Sequence, residues 1–304
     1  MRPQGLILRP ALAFLFLWGC ASPGSGPSTV LPEGPEDGGG LLRILVGVNE
    51  PYCRKTACAC VEFAARRDLE PLRRKLRERF GIDLEWRYYP GDLFELQRHV
   101  REGRLEGALA KPWPILKCAR ESGRDWRRVA DLPGPGGSAD LRGIAVVPKD
   151  SPVRAWADLE GRRLAIGQAD AYEKHHAALE LLRRQGLDPD RLRLLEFSSC
   201  LENIGAILDG KADGAVVSDY SFEADCLVDV ARREDYRVLG RTEPPIPLVS
   251  LMVDLGRVPE GAARRLRRAL LELRGDPELR EPLLGDGFLP ARPWSPPELP
   301  SLAR

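Results

Sequence analysis

Cysteine is the residue type with the most chemistry to offer in this chain, which has seven. Six of them, Cys53, Cys58, Cys60, Cys118, Cys200 and Cys226, stand well inside the chain. Thiols can pair, hold a soft metal or attack an electrophile. An even number in an exported chain points first to three disulfides, and six cysteines leave on the order of 15 pairings open. The second possibility is a soft-metal site built from Cys53, Cys58, Cys60, Cys118 or Cys200 with the imidazole of His175. The spacing Cys53-x4-Cys58-x-Cys60 matches no standard zinc pattern, and no haem-attachment motif is present. The third possibility pairs Cys200 with His175 as nucleophile and base. The sequence offers it no orienting third group and no oxyanion site. A Gly-rich phosphate loop and an H-E-x-x-H helix are both absent. Binding rather than catalysis is therefore the expectation, with no cofactor beyond a possible soft metal.

An oxidising compartment requires export, and the N-terminus supplies the signal. Arg2 and Arg9 flank the start of an apolar run from Ala11 to Trp18. That run is too short to span a bilayer, which takes about 20 residues, but suits a secretory signal. It ends in Leu17-Trp18-Gly19-Cys20-Ala21-Ser22, which resembles the bacterial lipobox. The resemblance implies removal of residues 1–19 and a diacylglycerol on Cys20, although Trp18 stands where a small residue is usual. The protein is thus expected in the cell envelope, lipid-anchored, on the periplasmic or outer face of a membrane. Residues 20–41 are rich in Gly, Pro and Ser and read as a flexible tether. The net charge of +1 gives no clustered basic face for nucleic acid. The many arginines are interleaved with Asp and Glu, as on solvated helix faces.

The elements that must position these groups alternate along the chain. Leu42–Val48 reads as a buried strand. Leu69, Leu72, Leu76 and Phe80 recur at helical spacing before Gly81, and Ile82, Leu84, Trp86 and Tyr88 alternate as a strand. Asp92 with Glu95 resembles a capping box for the next helix. Further strands follow at Gly107–Ala110 and Gly143–Val147. A second unit repeats the order. Its strands are Arg163–Ile166, Leu192–Phe197 and Gly214–Val217, with a capping box at Ser199 and Glu202 between the last two. A helix runs on towards Val230, then a strand at Ile246–Val253 and a basic helix to Leu273. Strands separated by helices imply an α/β fold with mostly parallel sheets covered on both faces, in two similar lobes.

This order resembles the phosphate/phosphonate-type solute-binding proteins of ABC importers, which have the two-lobed type 2 periplasmic binding fold. The resemblance rests on LRILVGVNEPY (42–52), LEPLRRKLRERFGIDLEWRYYPG (69–91), GIAVVPKDSPVRAWADLEGRRLAIGQ (143–168), LDGKADGAVVSDY (208–220) and RTEPPIPLVSL (241–251). It implies a first lobe of residues 42–148, a second lobe of 149–243, and a return to the first lobe with a tail over 244–304. It implies a small oxyanion such as phosphate or phosphonate bound between the lobes, and a monomer that delivers it to a membrane permease. Hinges are expected near Val147–Asp150 and Glu243–Pro247. Ligand would lie at strand carboxyl ends and helix amino ends, where unpaired N–H groups suit an anion.

The site residues implied by the resemblance are Tyr52, Lys111 and Trp113 from the first lobe, with Asp219 and Tyr220 from the second. Family members carry Gly, Ser and Thr before the helix that follows the "G-K-R-hydrophobic-G" strand. Here that stretch is Asp170-Ala171-Tyr172-Glu173-Lys174-His175-His176. The hydroxyl pair is missing and two acidic residues stand in its place. Asp170 and Glu173 read either as negative charge facing the ligand or as an N-cap with its third-position partner. Ala171, Tyr172, Glu173, Lys174 and His175 are the remaining candidates, the last two as cation contacts or as a solvated helix face. If the lobes pair their cysteines internally, Cys200–Cys226 is the natural bridge of the second. The alternative role on the same fold is a metal-binding or sensory lipoprotein using the Cys/His cluster.

Overall fold

A computed structural model describes residues 28–36, 39–57, 65–91, 93–223, 227 and 230–294. The expected signal, Cys20, Cys58, Cys60, Cys226, Asp92 and most of the helix running towards Val230 lie outside them. No described helix is long and apolar enough to cross a membrane.

The first part of the chain forms β1 (Leu42–Asn49), α1 (Glu70–Phe80), β2 (Ile82–Tyr88), α2 (Leu93–Arg101), β3 (Gly107–Ala110), α3 (Pro112–Glu121) and β4 (Trp126–Asp131). The alternation that marks β1 and β2 puts Ile44, Val46, Ile82 and Leu84 in the core. Leu72 and Leu76, four apart on α1, cover the same sheet. α1 stops at Gly81, whose left-handed φ of 62° lets its N–H reach the carbonyls of Arg77 and Leu76.

The chain then crosses through β5 (Asp140–Leu141) into β6 (Gly143–Pro148), β7 (Arg163–Gly167), α4 (His176–Arg184), β8 (Arg193–Phe197), α5 (Cys200–Leu208), β9 (Gly214–Ser218), α6 (Tyr220–Glu223) and β10 (Tyr236–Arg241). It returns through β11 (Ile246–Pro247) to β12 (Ser250–Asp254), α7 (Glu260–Glu272), α8 (Pro277–Arg280) and β13 (Leu289–Pro290).

Two sheets result, in the orders β13-β4-β12-β3-β1-β2 and β10-β6-β9-β7-β8. The heart of each is parallel: β2, β1 and β3 in one, β8, β7 and β9 in the other. The strands that enter after a crossing, β6 and β12, pair antiparallel with their neighbours. Each sheet has its own apolar core, with Val46, Leu72 and Leu251 in one and Ala165, Ile204 and Val217 in the other. This is the two-lobed α/β architecture expected.

Two boundaries differ from the expectation. β6 pairs with β9 and β10, so residues 143–148 belong to the second sheet, not to the end of the first. The first crossing lies earlier than expected, at β5. That strand forms an antiparallel ribbon with β11, which falls inside the expected second crossing at Glu243–Pro247, with Ile246 opposite Leu141. The expected strand Ile246–Val253 is accordingly split in two, one piece in the ribbon and one in the first sheet. The second difference is the tether. Its distal half is docked: Val30 bridges Arg128, Leu31 is buried, and Arg268 pairs with Glu36. Composition hid this because two apolar residues, Val30 and Leu31, suffice to anchor an otherwise Pro/Gly-rich segment.

Candidate functional site

Between the lobes lies a cavity of about 340 Å³. The first lobe lines it with Asn49 at the end of β1, Pro51, Thr56, Phe94 on α2 and Lys111 at the start of α3. The second lobe contributes Gln168, Asp170, Ala171 and Lys174 after β7, and Ser198, Ser199 and Cys200 where α5 begins. Tyr220, after β9, closes the set. These are strand carboxyl ends and helix amino ends, as parallel strands require of a crevice.

The stretch after β7 decides the chemistry. The chain folds back so that Lys174 C=O accepts from Gly167 N–H at 3.1 Å, and His175 Nδ1 bonds the Gly167 carbonyl at 2.8 Å. The approach needs glycine: a Cβ on Gly167 would stand 2.7 Å from the Lys174 Cβ. α4 begins only at His176. Asp170 and Glu173 are therefore not its N-cap and third residue, and the capping reading of this pair is corrected.

Glu173 instead turns inward and is buried. Its Oε1 accepts from Lys111 Nζ at 2.9 Å and from Ser218 Oγ at 2.7 Å. Lys111 follows β3 and Glu173 follows β7, so this ion pair joins the two lobes. Burial alone would push the Glu173 carboxyl up, but the Lys111 and Lys174 ammonium groups and the two hydrogen bonds outweigh it and hold it at about 2. A second contact across the lobes is aromatic, with Trp113 and Tyr172 rings 4.5 Å apart and His176 beside them. Burial and the neighbouring His175 keep His176 down at about 4.

Lys174 shares the Glu173 charge only at longer range than Lys111 does. It is 4% exposed and lines the cavity, yet its ammonium forms no hydrogen bond or ion pair with the described residues. A buried cation is costly unless paired, so a site of this kind calls for an anion. The start of α5 faces the same space. There Ser199 Oγ accepts from Glu202 N–H at 3.1 Å, while Glu202 Oε2 accepts from Ser198 N–H and Ser199 N–H at 3.0 Å each. This is the capping box expected from the sequence, and it engages those groups locally.

The expected site residues divide accordingly. Lys111, Ala171, Lys174 and Tyr220 line the cavity. Glu173 sits behind it, bonded to Lys111. Tyr52 is buried in the first-lobe core with its ring edge-on to Tyr220 at 6.0 Å. Trp113 and Tyr172 form the aromatic contact, His175 braces the turn, and Asp219 accepts from Tyr220 N–H. Reading the sequence missed Asn49, Phe94, Gln168 and Ser198. The strand-end and helix-start rule already applied would have found Asn49 and Ser198; nothing local marks Phe94.

The cysteines do not behave as expected. Cys53, Cys118 and Cys200 are buried free thiols, which corrects the disulfide reading for these three. Cys118 donates to the Ile115 carbonyl inside α3, and burial pushes its thiol up to about 11. Burial raises Cys53 as well. Cys200 Sγ accepts from Ser218 N–H, while the His175 ring is bonded to Gly167, so each is engaged elsewhere. Among the described residues no three His, Cys, Asp or Glu side chains converge as a metal site.

Comparison with known proteins agrees with this geometry. No curated protein matches the chain. Among solved structures, a Xanthomonas citri protein bound to chloride ion is 21% identical, with a TM-score of 0.62 over 83% of this chain and 92% of that one. A binding-protein component of an ABC phosphonate transporter from Pseudomonas aeruginosa is 15% identical, with a TM-score of 0.60 over 83% and 82%. PhnD1 from Prochlorococcus marinus, in complex with methylphosphonate, is 13% identical, with a TM-score of 0.60 over 83% and 93%. At these identities the likeness shows the fold. The family is shown by its own model, described as the phosphonate periplasmic substrate-binding protein of ABC transporters, which matches residues 64–293. The chain therefore belongs to the periplasmic phosphonate-type substrate-binding proteins of ABC transporters.

Proposed function

We propose that this protein is an extracytoplasmic lipoprotein, anchored through Cys20, that captures a small oxyanion of the phosphate, phosphonate or sulfonate type and presents it to an ABC permease. The observation that carries this reading is Lys174, a buried cation lining a cavity between two lobes that, among the described residues, has neither a hydrogen bond nor an ion pair at its ammonium. The mechanism is hinge closure. The β5–β11 ribbon links the lobes, and small backbone changes there swing one against the other. Bound anion adds to the Lys111–Glu173 and Trp113–Tyr172 contacts that already join the lobes. The closed shape is the one a permease would recognise.

Calorimetric titration of the full-length chain with phosphate, methylphosphonate, sulfate and methanesulfonate tests the reading. At least one is expected to bind, and K174A is expected to weaken it by roughly 10- to 100-fold, the worth of a charged hydrogen bond. Lack of heat with every anion, or full affinity in K174A, would overturn it.

A further inference from the structure

The charges around the cavity do not suit every oxyanion equally. Two lysines, Lys111 and Lys174, line it. One of them is already neutralised by Glu173, whose carboxylate is 1% exposed and is held by Lys111 and Ser218 at 2.9 and 2.7 Å. Among the described residues in the part of the site shielded from water, one positive charge is left over. Asp170, half-exposed on the rim, adds negative charge rather than positive.

The cost of stripping water from an ion grows as the square of its charge, whereas its attraction to a fixed counter-charge grows only in proportion. A site with one spare cation is matched by one negative charge. A dianion would leave a charge unpaired next to a buried carboxylate, and at such distances in a protein unlike and like charges are worth several-fold to many-fold in affinity.

The remaining lining mixes uncharged polar groups, Asn49, Thr56, Gln168, Ser198 and Ser199, with an apolar share. Pro51, Leu93, Pro114, Ala171 and Phe94 face the same cavity, and Phe94 is 66% exposed there. At about 30 Å³ per water, the cavity holds roughly ten water volumes, several more than a bare tetrahedral anion displaces. The apolar residues give that extra space a surface suited to a carbon substituent.

Resting on the oxyanion-binding reading, we infer that the site selects a singly charged organic oxyanion, a sulfonate or a phosphodiester-like monoanion with an apolar substituent, over a dianionic phosphate or phosphonate. Lys174 holds the anionic head, Glu173 sets the charge limit by occupying Lys111, and Phe94 covers the substituent.

The test uses the full-length chain at about pH 8 with three probes of similar size. Butylsulfonate and methyl propyl phosphate carry one charge; propyl phosphate, whose second ionisation lies near pH 6, carries two. Both monoanions are expected to bind at least about tenfold more tightly than the dianion. E173Q removes the carboxylate that neutralises Lys111 and is expected to shrink that preference or reverse it. F94A is expected to weaken butylsulfonate while leaving methanesulfonate unchanged. If propyl phosphate binds as tightly as the two monoanions, the charge limit is wrong although oxyanion capture stands. If all three fail to bind, capture itself falls, and the inference with it. Should E173Q prove unfolded, the three-probe comparison on the natural protein still decides.

Discussion

In the first lobe, Arg128 and Asp131 are both buried on β4. Arg128 donates to both Asp131 oxygens at 2.6 Å, to Ser250 Oγ at 3.0 Å and to the Arg292 carbonyl at 3.0 Å. Ser250 Oγ in turn donates to Asp131 at 2.6 Å, and Arg292 N–H reaches its other oxygen at 3.3 Å. In the cleft, Lys111, Glu173 and Ser218 repeat the composition of cation, carboxylate and hydroxyl, but with Lys174 beside them, its ammonium bonded to none of the described residues. The first network joins two strands and the C-terminal segment within one lobe; the second joins the lobes. A buried charge cluster that balances itself fixes a structure, and one with a charge in excess holds out for a ligand.

Removing one member of each network should separate the two roles. Arg128→Met leaves Asp131 buried and unpaired, and is expected to cost about 3–5 kcal/mol of folding stability. The folded fraction should bind oxyanion as before. Lys174→Ala should do the reverse, lowering affinity with little change in melting temperature, since the desolvation cost of a buried charge goes together with its longer-range attraction to Glu173. Denaturant unfolding and calorimetry on both variants check this. Equal losses of stability would mean that the two networks are of one kind.

Acid sharpens the contrast through two buried carboxyls. Glu173 is held at about 2, well below its ordinary 4.5, so its stabilisation is complete above about pH 4.5 and disappears as pH falls towards 2. Glu50, paired with Arg67, is pushed up by burial. Protonation favours its folded form, so its contribution is complete below about 4.5 and is lost as pH rises through its raised value. E173Q should therefore flatten the stability profile on the acid side of 4.5, and E50Q the profile above it. Stability measured by denaturant in steps of pH shows either pattern, and a flat profile in the natural protein would remove the Glu173 ion pair from the argument.

The fold was legible because its signals are local. Helical spacing of Leu72 and Leu76, the stop at Gly81 and the Ser199–Glu202 box each sit within one element. The site was legible in place but not in role. Glu173 and Lys174 take their meaning from Lys111 and Ser218, tens of residues away in sequence, and from a turn that folds back on Gly167 before α4 begins. Spacing alone suggested a cap there, because an Asp three residues ahead of a Glu has the same pattern whether or not a helix follows. The crossing was placed too late for a related reason: Gly143–Pro148 is an apolar strand in either lobe, and only its partners β9 and β10 assign it.

The smallest effect concerns a group that faces the ligand space without being free to use it. Ser199 lines the cavity, and its hydroxyl is spent on the Glu202 N–H at the start of α5. If engagement rather than position decides what a polar side chain does, Ser199→Ala should cost about 1 kcal/mol of stability, the usual worth of an N-cap. Oxyanion affinity should move by less than about threefold, below the loss of one neutral hydrogen bond. The same experiment on Lys174 moves affinity and spares stability. A large loss of affinity in S199A would mean that the hydroxyl turns from Glu202 to the anion on binding, and that the α5 cap is itself part of the closing site.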